Sequence, residues 1–323
     1  MIEIKHLTKR YGELCAVNDL NLTVEPGKIY GFLGPNGAGK STTMNIITGY
    51  IGATEGEVLI NGHDIFKDPI EAKKCIGYLP EMPPLYPDMS VKEYLDFVAE
   101  LKLIPKADRK EAVSHVMEVT GISDMSRRLI KNLSKGYKQR VGLAQAIINM
   151  PEIIILDEPT VGLDPRQIIE MRDLIRSLGK DHTVILSSHI LSEVSEVCDH
   201  VFIIAKGQLV ASDTVDNLEN MVSGGTTLNV KAKGEEGAIT EILGRIDGVS
   251  SFEFGDTDDE GIISFAVELD EGRDIRDTLS LEMAKASMPI MEMSVTRKSL
   301  EDVFLTLTGE NNSKEDEPNV FDL

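Results

Sequence analysis

A glycine-rich segment near the N-terminus has the spacing of a phosphate-binding loop. Residues 34–41 read Gly-Pro-Asn-Gly-Ala-Gly-Lys-Ser and match the pattern G-x-x-x-x-G-K-[ST]. Backbone N–H groups of such a loop surround phosphate oxygens, and side chains at the glycine positions would block that approach. Lys40 is predicted to reach the β and γ phosphates and Ser41 to bind Mg²⁺. The apolar segment Ile29–Leu33 before the loop, and a helix from Ser41 to about Thr48, indicate a nucleotide site.

Two adjacent carboxylates follow another apolar segment further along the chain. Ile153–Leu156 precedes Asp157 and Glu158, and an uninterrupted apolar segment is typical of a parallel strand buried on both faces. Asp157 at the strand end is predicted to hold Mg²⁺ through a water molecule. Glu158 is predicted to polarise the water that attacks the γ-phosphate. A solvated surface glutamate is the alternative for Glu158, and the upstream phosphate loop favours the general base.

His189 and Tyr11 can have a functional role only if the fold places them beside the nucleotide site. His189 follows the strand-like segment Thr183–Ser188. A lone histidine there is usually without special function, but α/β sheets bind ligands at the carboxyl ends of their strands. Tyr11 precedes the core of the first domain and could stack on adenine. On spacing alone, a surface tyrosine is the simpler interpretation.

The surrounding pattern predicts the elements that hold these residues. Residues 1–222 alternate apolar strands and helices, which indicates an α/β domain with a mostly parallel sheet. A helical insert starts at a capping box formed by Ser90 and Glu93, with apolar residues at helical spacing from Val91 to Val98. From there the chain is predicted to stay helical to about Leu129.

The last third of the chain reads as a second, smaller domain. Ser223–Gly225 is a predicted linker, and residues 223–310 are predicted to form an accessory α+β domain, ferredoxin-like, in the order β-α-β-β-α-β. A final amphipathic helix is predicted around Leu300, Val303, Phe304 and Leu307. Residues 311–323 are polar and acidic and are predicted to be a disordered tail.

Bulk composition excludes several classes of protein. The 323 residues are 41% hydrophobic and contain neither a transmembrane segment nor a signal peptide, which predicts a cytoplasmic chain. The three cysteines are too few and too scattered to indicate a disulfide framework or a zinc site. The net charge is −21, and residues 223–323 carry 23 acidic against 9 basic residues. Such acidity predicts that nucleic acid is not a partner.

The segment Leu133–Arg140 reads LSKGYKQR and indicates which family of nucleotide-binding proteins the chain resembles. With it, residues 1–222 resemble the ATP-binding subunit of ABC transporters: a P-loop NTPase cassette. Residues 34–41 look like the Walker A loop and Ile153–Asp157 like Walker B, with Glu158 as the catalytic carboxylate. Leu133–Arg140 is similar to the ABC signature motif, which other phosphate-loop proteins lack.

The remaining motifs occur in the family's order. Gly162–Asp164 resembles the D-loop, His189 the switch histidine, Tyr11 the adenine-stacking aromatic and Glu81 the Q-loop position. The resemblance implies ATP and Mg²⁺ as cofactors, with Ser41, Glu81 and Asp157 around the metal. It implies these ATP-binding residues: Tyr11, Gly34, Pro35, Asn36, Gly37, Ala38, Gly39, Lys40, Ser41 and Thr42.

The resemblance also implies that two subunits pair head to tail and enclose two ATP molecules. Ser134, Gly136 and Asp164 of one chain would then contact the ATP held by the other chain. The sequence departs from the family at two places. Lys135 and Tyr137 replace a glycine and the glutamine of the usual LSGGQ signature, and Glu81 replaces the Q-loop glutamine. The phosphate contacts of Ser134 and Gly136 are expected to survive.

The resemblance extends to partners outside the cassette. A helical subdomain of about residues 82–150 resembles the region that docks on an integral membrane permease, with Met82–Pro87 as the expected groove. The C-terminal domain and residues 299–305 resemble ATPases of exporters whose membrane subunit is a separate chain. A dimer with itself or a paralogous ABC subunit is implied, peripheral on the inner face of the cell membrane. The rival interpretation is a soluble ABC ATPase that does not bind a membrane subunit. A phosphate-loop kinase or GTPase is a third alternative, and the segment LSKGYKQR argues against it.

Overall fold

The structure is a computed structural model that describes residues 1–222, 226–257, 261–270, 273–296 and Phe304. The chain divides into two compact units, Met1–Val215 and Asp216–Leu323. The division precedes the boundary drawn from the sequence because the helix Val215–Val222 groups mainly with the second unit. The predicted linker Ser223–Gly225 lies outside the described residues.

The first unit alternates strands and helices. Its elements, together with the helix that follows, are β1 Ile2–Tyr11, β2 Leu14–Val24, β3 Ile29–Leu33, α1 Lys40–Ile47, β4 Glu55–Ile60, β5 His63–Asp64, α2 Pro69–Lys74, β6 Ile76–Leu79, α3 Val91–Leu101, α4 Arg109–Val119, α5 Lys135–Ile147, β7 Ile153–Asp157, α6 Pro165–Leu178, β8 Thr183–Ser188, α7 Leu191–Val197, β9 His200–Ala205, β10 Gln208–Asp213 and α8 Val215–Val222.

Two sheets make up the strand framework of this unit. One has six strands in the order β10-β9-β3-β8-β7-β6, parallel except for β10, and contains every strand predicted for this unit from an apolar segment. The other is antiparallel, in the order β2-β1-β4-β5. The prediction of a mostly parallel sheet therefore missed a whole antiparallel sheet. Its long strands alternate between buried and exposed residues, which leaves no continuous apolar segment to detect.

A shared core fixes the phosphate loop against the strand ends. Met44, Ile46 and Ile47 of α1 are fully buried and belong to a cluster that includes Phe32 of β3 and Ile155 of β7. The cluster also takes in residues of both sheets. Since close-packed apolar side chains resist small displacements, this shared core fixes α1 against β3 and β7.

The helical subdomain begins at the predicted capping box. The amide of Glu93 donates to Ser90 Oγ at 3.3 Å, and the amide of Ser90 donates to Glu93 Oε2 at 2.8 Å. The predicted apolar face of α3 is buried. The insert is helical, as predicted, but in separate segments: α3 ends at Leu101 and α4 follows it. At Gly142 of α5, a Cβ would lie 2.7 Å from Leu79, so α5 packs directly on β6.

The second unit contains one antiparallel sheet with helices. After α8, its described elements are β11 Thr226–Lys233, α9 Glu236–Leu243, β12 Val249–Thr257, β13 Ile262–Leu269, α10 Arg276–Lys285 and β14 Ile290–Thr296. The strand order is β12-β13-β11-β14, and the element order is the predicted β-α-β-β-α-β. Of the predicted last helix only Phe304 is described, and it is buried. The predicted acidic tail lies outside the described residues.

Within the described parts of the chain, no helix has the length and apolar character needed to span a bilayer.

Candidate active site

Three parallel strands bring the predicted site residues to one edge of the sheet. Leu33 pairs with Ser188 across β3 and β8, and Asp157 pairs with Ser187 across β7 and β8. The segments that follow these strands are the glycine-rich loop, Glu158 and His189. They therefore meet at the carboxyl edge, where parallel sheets place their ligands.

The glycine-rich loop has a backbone conformation that other residues rarely adopt. Gly37 has a φ of 81° and Gly39 a φ of 104°, both in the left-handed region. A Cβ on Gly39 would lie 2.5 Å from the carbonyl oxygen of Ala16, closer than a real Cβ approaches an oxygen. The loop leads directly into α1, whose first N–H groups lack helical acceptors and can bind an anion.

Lys40 is buried within the loop that precedes it. Its ammonium donates hydrogen bonds to the carbonyl oxygens of Gly34 at 2.7 Å and Pro35 at 3.3 Å, and lies 3.8 Å from Glu158 Oε1. Burial lowers the pKa of Lys40, and the carboxylates of Glu158 and Asp157 act against that shift. A buried ammonium aimed into the loop is suited to binding a phosphate group.

Asp157 lies beside the hydroxyl that the sequence predicts as its metal-binding neighbour. Ser41 Oγ is 3.2 Å from Asp157 Oδ1. The same oxygen accepts a second hydrogen bond, at 2.6 Å, from Ser187 Oγ. A hydroxyl and a carboxylate are oxygen ligands of the kind that Mg²⁺ prefers, so these residues fit that metal.

Glu158 and His189 form a pair next to the phosphate loop. His189 Nδ1 lies 2.9 Å from Glu158 Oε2, and Glu158 is only 7% exposed. The backbone of Glu158 has a φ of 47°, which is uncommon for a residue with a side chain and costs about 1–3 kcal/mol. A lone histidine at a strand end usually has no special function, but the sheet places His189 beside the phosphate loop and in direct contact with the candidate general base.

Ser187 belongs to the site although no motif in the sequence predicts it. Its hydroxyl donates to Asp157 Oδ1 and accepts a hydrogen bond of 2.9 Å from the backbone amide of Glu158. It thus orients both carboxylate residues. The signal that could have found it is a hydroxyl at the end of β8, which becomes meaningful only when β8 is known to pair with β7.

A cleft of about 440 Å³ joins most of the predicted residues. It extends from Tyr11, over residues 36–42, to Glu81, Glu158 and His189. Leu14, Ala16 and Val161 line it as well, and the sequence does not predict them. Tyr11 is half exposed at the end of β1, with the Lys9 ammonium 5.0 Å from its ring centroid. Gly34 and Pro35 take part through Lys40 rather than by lining the cleft.

A second group of predicted residues lies apart from this cleft. Ser134 caps the N-terminus of α5 and Asp164 caps that of α6; both side chains are exposed. Gly136 is buried against Gln167, and a Cβ there would lie 2.5 Å from that side chain's Oε1. All these residues fall in 1–222, which is fully described, and none of Ser134, Gly136 or Asp164 lines the cleft.

Comparison with known proteins identifies the family. A family profile described as "ABC transporter" matches residues 17–161. The bacitracin transport ATP-binding protein BcrA of Bacillus licheniformis is 36% identical over 311 residues, which cover 96% of this chain and 97% of that protein. The chain belongs to the ABC transporter family.

Other members of the ABC family agree with this assignment. The linearmycin resistance ATP-binding protein LnrL of Bacillus subtilis is 29% identical over 96% of this chain and 98% of its own length. A solved ABC cassette, dimeric and in a post-hydrolysis state with ADP and phosphate, matches with a TM-score of 0.60 and 26% identity. The match covers 66% of this chain and 98% of the cassette.

These matches confirm the central predictions made from the motifs. The fold is that of an ABC cassette, and the chain is an ATP-binding, ATP-hydrolysing subunit of an ABC transporter. The matches to BcrA and LnrL extend through the second unit as well. The resemblance of that unit to the ferredoxin-like fold stays a prediction.

Proposed function

We propose that this chain powers an ABC exporter whose membrane subunit is a separate polypeptide, and that it works as a head-to-tail dimer. The observation that carries the dimer is the division of the family's ATP-contacting residues into two groups. One group surrounds the cleft beside α1, and Ser134, Gly136 and Asp164 lie at two helix N-termini outside it. Helix N-termini bind anions well, so a second chain that presents them would complete the site.

The oxygen ligands around the phosphate loop support Mg²⁺ as the cofactor of ATP. Ser41 and Asp157 would hold the ion, and Glu81, which lines the cleft together with Ser41, would supply a further carboxylate oxygen. The bound ion would neutralise phosphate charge. Ser187 would keep Asp157 oriented throughout, because its hydroxyl already donates to the carboxylate.

Glu158 is the candidate general base for hydrolysis. Its buried carboxylate lies between Lys40 and His189, so it can accept a proton from a water placed at the γ-phosphate. His189 orients this carboxylate through the 2.9 Å contact. Lys40 would draw the phosphate towards the carboxylate, and the amide contact with Ser187 would hold the Glu158 backbone in place.

The names of the relatives make an antibiotic, bacitracin first, the cargo to test. BcrA is named for bacitracin transport and LnrL for linearmycin resistance, and both match this chain over nearly its full length. Resistance favours outward transport. A tagged chain purified from detergent-solubilised membranes should bring an integral membrane protein with it, and expression of the pair should protect cells from bacitracin. Purification with ribosomes or DNA would instead support the soluble alternative.

The segment Met82–Pro87 is the proposed contact with the membrane subunit. Met82 is 84% exposed, and the segment contributes to an apolar cleft that also includes Ile130. Lys135 and Lys138 line the same cleft, so an acidic residue in the partner would find a counter-charge there; Lys131 also lines it but is paired with Asp88 at 2.9 Å.

Tyr11 is expected to contribute to ATP affinity by stacking on adenine. Tyr11→Ala should raise the Kd for ATP about 5- to 150-fold, since stacking of a base on an aromatic ring contributes roughly 1–3 kcal/mol. Tyr11→Phe keeps the ring and should bind as the wild type does. Titration with a fluorescent ATP analogue measures both. Equal affinities for the alanine and wild-type proteins would return Tyr11 to a surface role.

Glu81 is expected to act as the metal-sensing residue in place of the usual glutamine. Glu81→Gln removes a negative charge from an exposed position in the cleft, so the Mg²⁺ concentration for half-maximal ATP turnover should rise about 2- to 5-fold. A Mg²⁺ titration of steady-state hydrolysis tests this. If turnover and its metal dependence are both unchanged, Glu81 has no such role.

A further inference from the structure

Glu193 is a buried carboxylate that the hydrolysis mechanism does not use. It lies on α7 and is only 4% exposed. Its Oε2 accepts hydrogen bonds from Thr160 Oγ1 at 2.6 Å and from Ser188 Oγ at 3.0 Å. Its Oε1 is buried and has no hydrogen-bond partner within the described part of the chain. Among those residues it also forms no ion pair closer than 4.0 Å with a lysine, arginine or histidine.

Burial at this position is energetically unfavourable for a carboxylate that has no role beyond packing. Removing a carboxylate from water carries a desolvation penalty of several kcal/mol unless charges and hydrogen bonds compensate it. Here two neutral hydroxyls supply the compensation, and one oxygen has none. Partly satisfied buried polar groups are costly in this way, so their occurrence calls for a role.

The two hydroxyls that Glu193 holds belong to different parts of the site. Thr160 opens the turn that leads to Asp164, since its carbonyl accepts the Leu163 amide at 3.1 Å. Ser188 directly precedes His189, and its hydroxyl also accepts the Ile190 amide at 3.0 Å. Glu193 therefore connects the loop that carries Asp164 to the strand end that carries the partner of Glu158.

The two serines at the end of β8 divide this work. Ser187 bonds to Asp157 and to the amide of Glu158, whereas Ser188 bonds to Glu193. Successive residues of a strand point to opposite faces of the sheet. Ser187 therefore faces Asp157, and Ser188 faces Glu193 on the other side. The positions of Glu158 and His189 thus depend on both faces of one strand.

We propose that Glu193 is a positioning residue that couples the loop 160–164 to His189. This inference rests on the proposed head-to-tail dimer, in which Asp164 faces the ATP of the other chain. A shift of that loop when the second chain docks is transmitted through Thr160, Glu193 and Ser188 to His189. His189 then orients the Glu158 carboxylate for hydrolysis. Each ATP site of the dimer therefore responds to whether the other site is occupied.

The test removes one hydroxyl without changing the shape of the side chain. Thr160→Val should lower kcat about 10-fold or more, the size expected for a lost hydrogen bond to a charged group, and should bring the Hill coefficient for ATP close to 1. The Kd for ATP should stay within about 2-fold of wild type, because Thr160 does not line the ATP cleft. Thr160→Ser keeps the hydroxyl and should restore both kcat and the Hill coefficient.

A double-mutant cycle checks that Thr160 and Ser188 act through the same carboxylate. Thr160→Val combined with Ser188→Ala should reduce kcat by less than the product of the two single effects. Glu196→Gln is the matched control on α7: its side chain is half exposed and bonded to Arg172, so its kinetics should equal wild type. Thermal unfolding of every variant separates loss of function from loss of folding.

Three results would overturn the coupling role. Thr160→Val and Thr160→Ser could have equal kcat, or the fall in kcat could be matched by a fall in ATP affinity. Alternatively, the double variant could show simple multiplication of the single effects. Any of these removes Glu193 from the mechanism. The proposed function stays intact if Glu158→Gln, which lacks the proposed general base, hydrolyses no ATP in the same assay. A wild-type chain without ATP hydrolysis would overturn both.

Discussion

Replacing Glu158 with glutamine is expected to abolish steady-state ATP hydrolysis while ATP binding persists. General-base catalysis contributes about 10²- to 10⁴-fold, and turnover should fall by an amount in that range. Glutamine has nearly the same shape, and Lys40 can still bind phosphate through the loop. The variant should therefore accumulate as an ATP-bound dimer, visible as a doubled mass in size-exclusion chromatography with light scattering.

A neighbouring glutamate supplies the matched control for this substitution. Glu152 lies just before β7, is exposed, and contacts only the Asn61 amide, at 2.8 Å, among its described side-chain partners. Glu152→Gln should hydrolyse ATP at the wild-type rate. Hydrolysis at the wild-type rate by Glu158→Gln would remove Glu158 from the role of base and would leave His189 without a catalytic partner.

The second large effect is expected at Lys40. Lys40→Ala removes a buried ammonium from the loop that surrounds phosphate, and a hydrogen bond to a charged group contributes about 1.5–3 kcal/mol. The Kd for ATP should therefore rise about 10- to 150-fold. Isothermal titration calorimetry measures this directly, in the Glu158→Gln background so that ATP is not consumed.

Lys28 is the control for the loss of a positive charge. It lies near the same end of the chain, is about half exposed, and forms a 2.9 Å surface ion pair with Glu25. Surface pairs of this kind contribute about 0–1 kcal/mol, so Lys28→Ala should bind ATP as the wild type does. An unchanged Kd in Lys40→Ala would contradict the assignment of residues 34–41 as the phosphate-binding loop.

The parts of the site that follow from local sequence were predictable. The loop 34–41 can be recognised from its glycines, from Lys40 and from the strand and helix that flank it. The pair Asp157 and Glu158 follows directly from a continuous apolar strand. In each case the residues that act together are close along the chain, or share a motif whose structural setting can be read from the neighbouring residues.

Features that depend on strand order were not predictable from single segments. Ser187 and Ser188 become informative only once β8 is known to lie between β3 and β7. Thr160 and Glu193 are 33 positions apart, and only the packing of α7 brings them into contact. The antiparallel sheet of β1, β2, β4 and β5 was missed for another reason: its long strands alternate buried and exposed residues and contain no continuous apolar segment.

The central claim is that one ATP site is built from two chains, and a disulfide cross-link tests it most directly. One protein carries Asn36→Cys, which lines the cleft, and the other carries Ser134→Cys, which caps α5. Both are made in the Glu158→Gln background, with Cys15 and Cys75 replaced by serine and the buried Cys198 by alanine.

Mixing the two proteins under mild oxidation should give a cross-linked dimer only when ATP and Mg²⁺ are present. Each protein alone should remain uncross-linked, because head-to-tail pairing brings each cysteine next to an unmodified position. Cross-linking of the Asn36→Cys protein with itself, or none in the mixture despite ATP binding by both proteins, would contradict the two-chain site.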